Sequence, residues 1–337
     1  GLSALFAAGG SSVDNEALSN LQAGGHDANK NGFTVQNVEL TLSGTVDTYL
    51  DGQSNIIILI DEEGETVVEL EEAFLLTRGL PWGLQIKAGQ YFTEFGRQNK
   101  QHPHTWDFVD QPVVLSRFFG GDGLRSQGLR VSALLPTEWY SEVYFGMQNA
   151  KGETVSSFLN VAGEDVAGFT MTDRQANGVE DFLYSLRWLN AGDLSDNTSV
   201  NFGVSALWGP NASGMETDTR IIGADLYLKW LPGSAARGYP FISWHSEVVI
   251  RRYEAADVND VNHQVLNDEG LFTQVLWGFK QNWVAAMRME YATADGDTST
   301  DPMRDTRKRF STNVTWHISE YSKLRLQYNR DDAEHLA

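Results

Sequence analysis

Phe310-Ser311-Thr312-Asn313-Val314-Thr315-Trp316-His317-Ile318 is the stretch on which the reading of the fold turns. Phe310, Thr312, Val314, Trp316 and Ile318 fall on one face of an extended chain, and Ser311, Asn313, Thr315 and His317 on the other. A repeat of two is the period of a β-strand whose two faces meet different surroundings. The next stretch repeats it, with Leu324, Leu326 and Tyr328 against Lys323, Arg325, Gln327 and Asn329. In 241–251, Ile242, Trp244, Val248 and Ile250 oppose Ser243, His245, Glu247 and Arg251. In 283–291, Trp283, Ala285, Met287, Met289 and Tyr291 oppose Arg288 and Glu290. Near 200, Val200, Phe202, Val204, Ala206 and Trp208 oppose Asn201, Gly203 and Ser205.

One such strand suits a soluble sandwich as well as a membrane barrel, because both have a polar face. The aromatic residues separate the two. Trp139, Trp188, Trp208, Trp230, Trp283, Tyr291 and Trp316 sit towards the ends of the apolar faces. Rings at strand ends match the two interfacial belts of a membrane barrel, whereas a sandwich core concentrates bulk at strand centres. Composition agrees. The 337 residues are 11% aromatic, and the longest aliphatic run, Ile56 to Ile60, is far too short for a membrane helix. The mean hydropathy of −0.33 is what alternation produces, since a barrel needs apolar side chains only at every second position. The net charge of −20 argues against a nucleic-acid partner and fits acidic surface loops. The absence of cysteine excludes disulfides and thiolate metal sites. No charged-then-apolar leader stands at Gly1, so the chain reads as mature or truncated.

Strands are expected at 33–49, 53–62, 66–78, 82–95, 126–135, 138–150, 178–190, 198–209, 217–231, 239–252, 270–280, 282–294, 307–318 and 321–330. Connections at Gly79-Leu80-Pro81, Pro136-Thr137 and Ser319-Glu320 are tight, while 97–125, 151–177, 253–269 and 295–306 are long and polar. Short periplasmic turns alternating with long external loops give this pattern. Counting up and down from the turn at 79–81 makes Gly1–Ala8 the end of a further strand and leaves a closing strand to follow 321–330. The expected fold is therefore all-β: a single domain, 1–337, forming a transmembrane antiparallel β-barrel of 16 strands, the first clipped and the last absent from this chain.

The segment 97–125 carries the expected chemistry. Arg97, Lys100, His102, His104, Asp107, Asp110, Arg117, Asp122 and Arg125 are interspersed with Phe108, Val109, Val113, Val114, Leu115, Phe118 and Phe119. Fully solvated loops do not carry such apolar runs. The segment is expected to fold into the bore and constrict it, with opposed charges setting the field that selects solutes. His102 and His104 form an H-x-H pair that could ligate a metal near Asp107 and Asp110, although two loop histidines beside proline and tryptophan more often pack. His26-Asp27 could join only if its loop reached inward. On the wall, His245, Glu247, Arg251, Arg288, Glu290 and Arg325 are expected to line the pore. His245, Glu247 and Arg251 would also suit acid–base work, but polar lumen residues are the default in such barrels, and no G-x-S-x-G elbow occurs. Glu69, Glu71 and Glu72 pose a problem: in strict alternation Glu72 shares the lipid face of Val68, Leu70 and Phe74. A β-bulge would release it.

Gln22-Ala23-Gly24-Gly25-His26-Asp27, Phe95-Gly96-Arg97 and the run His102 to Pro112 resemble a little-characterised family of porin-like bacterial outer-membrane proteins, sometimes described as zinc-regulated. Pro81-Trp82-Gly83-Leu84 and Leu324-Arg325-Leu326-Gln327 extend the likeness over most of the chain. The resemblance implies an outer-membrane barrel and supplies no substrate. That family usually has a final strand and a histidine-containing tail, which this sequence lacks. The expected function is a passive porin for small hydrophilic solutes or ions, in the bacterial outer membrane, with no cofactor and no catalytic residue. Lipid and lipopolysaccharide are the expected surroundings, and a homotrimer the assembly, by analogy with general porins. The alternative is a structural barrel that sheathes a partner protein in an outer-membrane complex. A barrel enzyme acting on lipid or peptide ranks third.

Overall fold

The structure, a computed structural model, describes residues 1–19, 21, 31–61, 64–160, 162–163, 165–257, 259, 261–295 and 304–333. The strands are β1 (Leu2–Gly9), β2 (Gly32–Thr45), β3 (Leu50–Ile60), β4 (Thr66–Thr77), β5 (Leu84–Phe92), β6 (Arg125–Leu134), β7 (Tyr140–Asn149), β8 (Asp165–Val166), β9 (Phe169–Thr170), β10 (Phe182–Ser195), β11 (Thr198–Pro210), β12 (Asp218–Trp230), β13 (Phe241–Ala255), β14 (Gln264–Lys280), β15 (Trp283–Ala294), β16 (Arg307–His317) and β17 (Lys323–Ala333). Short helices α1 (Asn15–Ser19) and α2 (Val113–Phe119) lie between them. Fifteen strands form one sheet in sequence order, with β7 beside β10; β8 and β9 make a separate hairpin. Every pairing in the large sheet is antiparallel, as the hairpin-by-hairpin reading of the sequence requires.

Side-chain burial is inverted relative to a soluble sandwich. Met287 is 53% exposed while its neighbour Arg288 is 2% exposed. Leu42, Val68, Trp188, Val248, Ile250, Val314 and Trp316 are all exposed, whereas Glu39, Arg187, His245, Glu247, Glu290 and Arg309 are buried. A face this apolar is stable in contact with acyl chains and not with water. The polar face is concave. The chain between β5 and β6 bonds to side chains of β2, β4, β13, β15 and β17, which the sheet can bring to one segment only by curling around it. His104 marks how far the curl goes: its ring meets Glu39 of β2 at 2.8 Å, and its carbonyl accepts from Lys323 of β17 at 2.8 Å.

All fourteen strands expected from alternation are present, and the Gly1–Ala8 stretch forms β1. β14 starts at Gln264, six residues before the expected 270, because the hairpin with β13 continues to Ala255↔Gln264. In that extension the apolar residues Val265 and Leu266 are adjacent and Asn267, Asp268 and Glu269 are polar, so no apolar alternation reveals it. Connectors at one end of the sheet span 46–49, 78–83, 135–139, 196–197, 231–240, 281–282 and 318–322. Those at the other span 10–31, 61–65, 93–124, 150–181, 211–217, 256–263 and 295–306. The two long inserts, 93–124 and 150–181, therefore leave from the same rim.

A bulge resolves the Glu71–Glu72 conflict. Ile56 pairs with Leu70 and Asn55 with Glu72, so Glu71 is an extra residue on β4. Above it, Val68 and Leu70 point outward; below it, Glu72 has changed face. Glu71 and Glu72, adjacent in sequence, are both buried on the polar side. Placing an arginine at Val248 or Val314 should destabilise the barrel by about 2–4 kcal/mol, against about 0–1 kcal/mol for Tyr321→Arg in an end turn. Denaturant titration of folding into lipid vesicles measures this; equal tolerance at the three sites would contradict a lipid-facing surface.

Candidate functional site

The chain leaving β5 turns onto the polar face at Gly96, where φ is 56°, a left-handed conformation that glycine adopts without strain. A Cβ at Gly96 would also collide with the Glu247 carboxylate. That close approach makes an anchor. Glu247 Oε1 accepts from the backbone N–H groups of Arg97 and Gln98, both at 2.7 Å, and lies 2.9 Å from His245 Nε2. The Gly96 N–H donates to Ser205 Oγ at 3.1 Å. The Arg97 guanidinium stacks 3.9 Å over the Tyr227 ring. Lys100 pairs with Glu94 at 3.2 Å, and Glu94 with Arg130 at 2.8 Å.

Asp110 forms the second anchor. Its oxygens accept from Arg288 at 2.5 Å, Gln327 at 3.0 Å, and Arg309 and Asn329 at 3.1 Å. Burial alone would raise the pKa of this carboxyl, but Arg288 and Arg309 outweigh it and hold the group below the usual carboxylate range. Asp107 is held more lightly: it accepts from Gln274 at 3.0 Å. Its backbone carbonyl accepts from Asn313 at 3.1 Å.

Between these anchors and β6 lies α2, buried throughout. Its first N–H donates to Glu290 at 2.6 Å, and Val114 rests where a side chain on Gly270 would stand. Phe118 and Phe119 join Phe95, Val155, Phe158, Leu159 and Leu183 in an apolar cluster inside the curl of the sheet. The 150–181 insert supplies three of these, and its Ser157 Oγ donates to the Phe118 carbonyl at 2.5 Å. Burying each large apolar side chain contributes roughly 1.5–3 kcal/mol. Ordering the backbone costs roughly 1–2 kcal/mol per residue. The two nearly cancel over α2, so the ionic anchors decide whether the segment stays in place.

The third contact region gathers acids and imidazoles. His102 Nδ1 lies 2.7 Å from Glu71 Oε2 and 3.6 Å from Glu39 Oε1, and His102 Nε2 lies 3.1 Å from Glu72 Oε2. His104 Nδ1 meets the other oxygen of Glu39. The turn Pro103–Thr105 sets the two rings side by side, 5.8 Å apart. Burial opposes charge on His102, but Glu71, Glu72 and Glu39 prevail and raise its pKa to about 10. Asn55 donates to Glu39 Oε1 at 2.5 Å.

Of the other residues singled out by sequence, Arg117 donates to the Asp305 carbonyl at 2.8 Å, and Arg125 bonds Glu69 and the Asp122 carbonyl. Arg251 bonds Asp268 and Ser157, Arg288 also bonds Glu290, and Arg325 reaches the Trp106 carbonyl at 3.0 Å. All face the polar side. His26-Asp27 and residues 296–303 lie outside the described residues. Glu39, Glu94, Arg187, Asp225 and Asp268 join these contacts without standing out in the sequence. Arg187 on β10 bridges to Asp225 on β12 at 2.7 Å across β11, over Gly203. A Cβ at Gly203 would stand 2.7 Å from both side chains, and glycine amid an alternating strand was the available signal.

Asp110→Asn should leave Arg288 and Arg309 undercompensated and weaken the hold on the segment by about 3–5 kcal/mol. Asp107→Asn, which keeps a side-chain oxygen able to accept from Gln274, should cost about 1 kcal/mol or less. Amide exchange over 107–119 distinguishes them; equal protection in both variants would mean that Asp110 is not the anchor.

No protein-family model matches the chain. Among curated proteins it is similar to an uncharacterised protein of Aquifex aeolicus, 29% identical over 331 residues. The match covers 92% of this chain and 66% of that protein, so the chain spans slightly under two thirds of the relative's length. Among solved structures it is similar to the outer membrane channel DcaP of Acinetobacter baumannii, with a TM-score of 0.57 and 9% identity over 90% of this chain and 82% of that one. It is also similar to the anion-selective porin from Comamonas acidovorans, with a TM-score of 0.54 and 9% identity over 91% and 84% of the two chains. Likeness of this kind carries the fold, and with the inverted burial it establishes the architecture as a porin-like β-barrel of the bacterial outer membrane.

Proposed function

We propose that the protein is a passive diffusion channel for small hydrophilic solutes or ions, with 97–125 as its constriction. One observation carries the reading: the apolar helix of this segment is buried inside the curl of the sheet while Arg97, Lys100, Asp107 and Asp122 stay at least partly exposed. Opposed fixed charges beside a narrow water path set a transverse field and sort solutes by charge and size. Of the expected pore-lining residues, His245, Glu247, Arg251, Arg288 and Glu290 are buried behind this segment and the 150–181 insert, where they anchor the inward chain, and Arg325 stays partly exposed. No cofactor enters this reading, and no catalytic group. Glu247, which with His245 and Arg251 would suit acid–base work, has its Oε1 engaged by two backbone N–H groups and His245.

A barrel that sheathes a partner is the second reading. The apolar cluster of Phe118, Phe119, Phe158 and Leu159 favours the channel, because it fills space that a plug protein would need. In the membrane the apolar band meets lipid, the long rim inserts meet lipopolysaccharide, and three barrels assemble. Crosslinking in native membranes should give a ladder that ends at the trimer.

Single-channel recording tests the main reading. Deleting residues 100–122 should leave a folded barrel with larger unit conductance, because the inward segment is removed and Arg288 and Arg309 become hydrated. Unchanged conductance would place the filter elsewhere on the wall. The parent channel should prefer cations at low salt, since the chain carries a net charge of −20. That preference should fade above roughly 0.1 M salt, where screening shortens below about 10 Å.

A further inference from the structure

Carboxylates on the polar face are generally matched by arginine. Glu94 has Arg130, Asp110 has Arg288 and Arg309, Asp225 has Arg187, Asp268 has Arg251 and Arg304, and Glu290 has Arg288. Glu247, held by His245 and two backbone N–H groups, departs from this singly, and Glu39, Glu71 and Glu72 depart from it as a cluster. Among the described residues none of the three bonds an arginine or a lysine; their partners are His102, His104, Asn55, Thr41 and the backbone N–H of Phe92. Three carboxylates have thus been buried together with two imidazoles as the neighbouring bases.

The donor atoms converge. One oxygen each of Glu39 and Glu71 and one ring nitrogen of His102 lie within 4.8 Å of one another. Bonds of about 2.0–2.2 Å from one ion to nitrogen and oxygen ligands place such donors roughly 3–3.5 Å apart in tetrahedral geometry. His102 Nδ1 already stands 2.7 Å from Glu71 and 3.6 Å from Glu39. Glu71 is fully buried, and its Oε1 has no hydrogen-bond partner. An orphaned carboxylate oxygen is costly unless something positive occupies the space before it.

The surrounding shell is arranged as metal sites require. A ligating histidine usually donates its second N–H to a carboxylate, which fixes the tautomer and turns the other nitrogen toward the ion. Glu72, brought to this face by the β4 bulge, stands 3.1 Å from His102 Nε2 and leaves Nδ1 directed at Glu39 and Glu71. His104 and Asn55 orient Glu39 in the same way. We propose that Glu39, Glu71 and His102 form a binding site for one divalent first-row transition-metal ion, with Glu72 and His104 as positioning residues and the remaining coordination open to water. A mixed imidazole and carboxylate set disfavours calcium and magnesium, which prefer all-oxygen cages. The ligands come from β2, β4 and the segment between β5 and β6, so the ion would tie the inward segment to the wall. The site requires only that 97–125 stand where it does; it does not depend on the barrel conducting.

The test is calorimetric titration of Co2+ into the chelator-stripped full chain in detergent, with the visible spectrum recorded alongside. One saturable site per chain is expected, with ligand-field bands. Glu71→Gln and His102→Asn should each weaken binding at least tenfold, Glu72→Gln about 10- to 100-fold, and His263→Asn not at all. Folding of each variant is checked by heat-modifiable gel mobility; should the ligand variants fail to fold, Glu72→Gln and the wild-type spectrum decide. Absence of saturable binding to the folded wild type, or binding undiminished in the Glu72, Glu71 and His102 variants, overturns the site. Because the readout is binding, a non-conducting barrel that binds Co2+ would sink the channel reading and leave the site standing.

Discussion

Hydrocarbon offers no partner to a peptide N–H or C=O, and this requirement organises the whole chain. It demands an unbroken ladder, and the fifteen strands supply one in sequence order without a crossover. Once the ladder is fixed, the period-two rule forces every second side chain outward, and those positions must be apolar. The other half turns inward, where polarity is tolerated and then needed. The buried arginines follow from this geometry. In a soluble core they would be intolerable; on the inside of a barrel they meet carboxylates on strands two away, as Arg187 meets Asp225.

Alternation made the strands legible because lipid and lumen differ so sharply that each residue reports its side. Trp188, Val248 and Trp316 could be placed outward from sequence alone. The same logic put His245, Glu247 and Arg288 inside. It could not say what they touch, since contacts between residues 97 and 247, or 110 and 288, depend on how far the sheet curls. Alternation also breaks wherever the strand does. Glu72 contradicted its neighbours because one additional residue at 71 shifts the phase, and a bulge leaves no mark in composition. The acid–imidazole cluster was therefore only half visible: the histidines stood out as a spaced pair, and their partners lay 31 and 65 positions away. Residues 151–177 look like an external loop in sequence because polar residues outnumber Val155, Phe158 and Leu159, which are among those that pack.

The inward segment is held by polar contacts at three separated places, Glu247, Asp110 and the cluster around His102. The apolar helix between them contributes burial nearly balanced by ordering entropy, so position is fixed by charge and existence by packing. Such a division makes the segment responsive. Altering one carboxylate changes its placement without dissolving the apolar cluster beneath it.

The contact of His104 with both β2 and β17 has a mechanical meaning. A hydrogen-bonded cylinder resists stretching along its ladders but flattens easily, because neighbouring strands hinge about one another. His104 ties β2 to β17 where the two ends of the curled sheet approach one another, and hinders them from parting. Lateral pull from the surrounding bilayer would then meet resistance at Pro103–Thr105, and the seam between the two ends of the sheet would stay narrow as membrane tension varies.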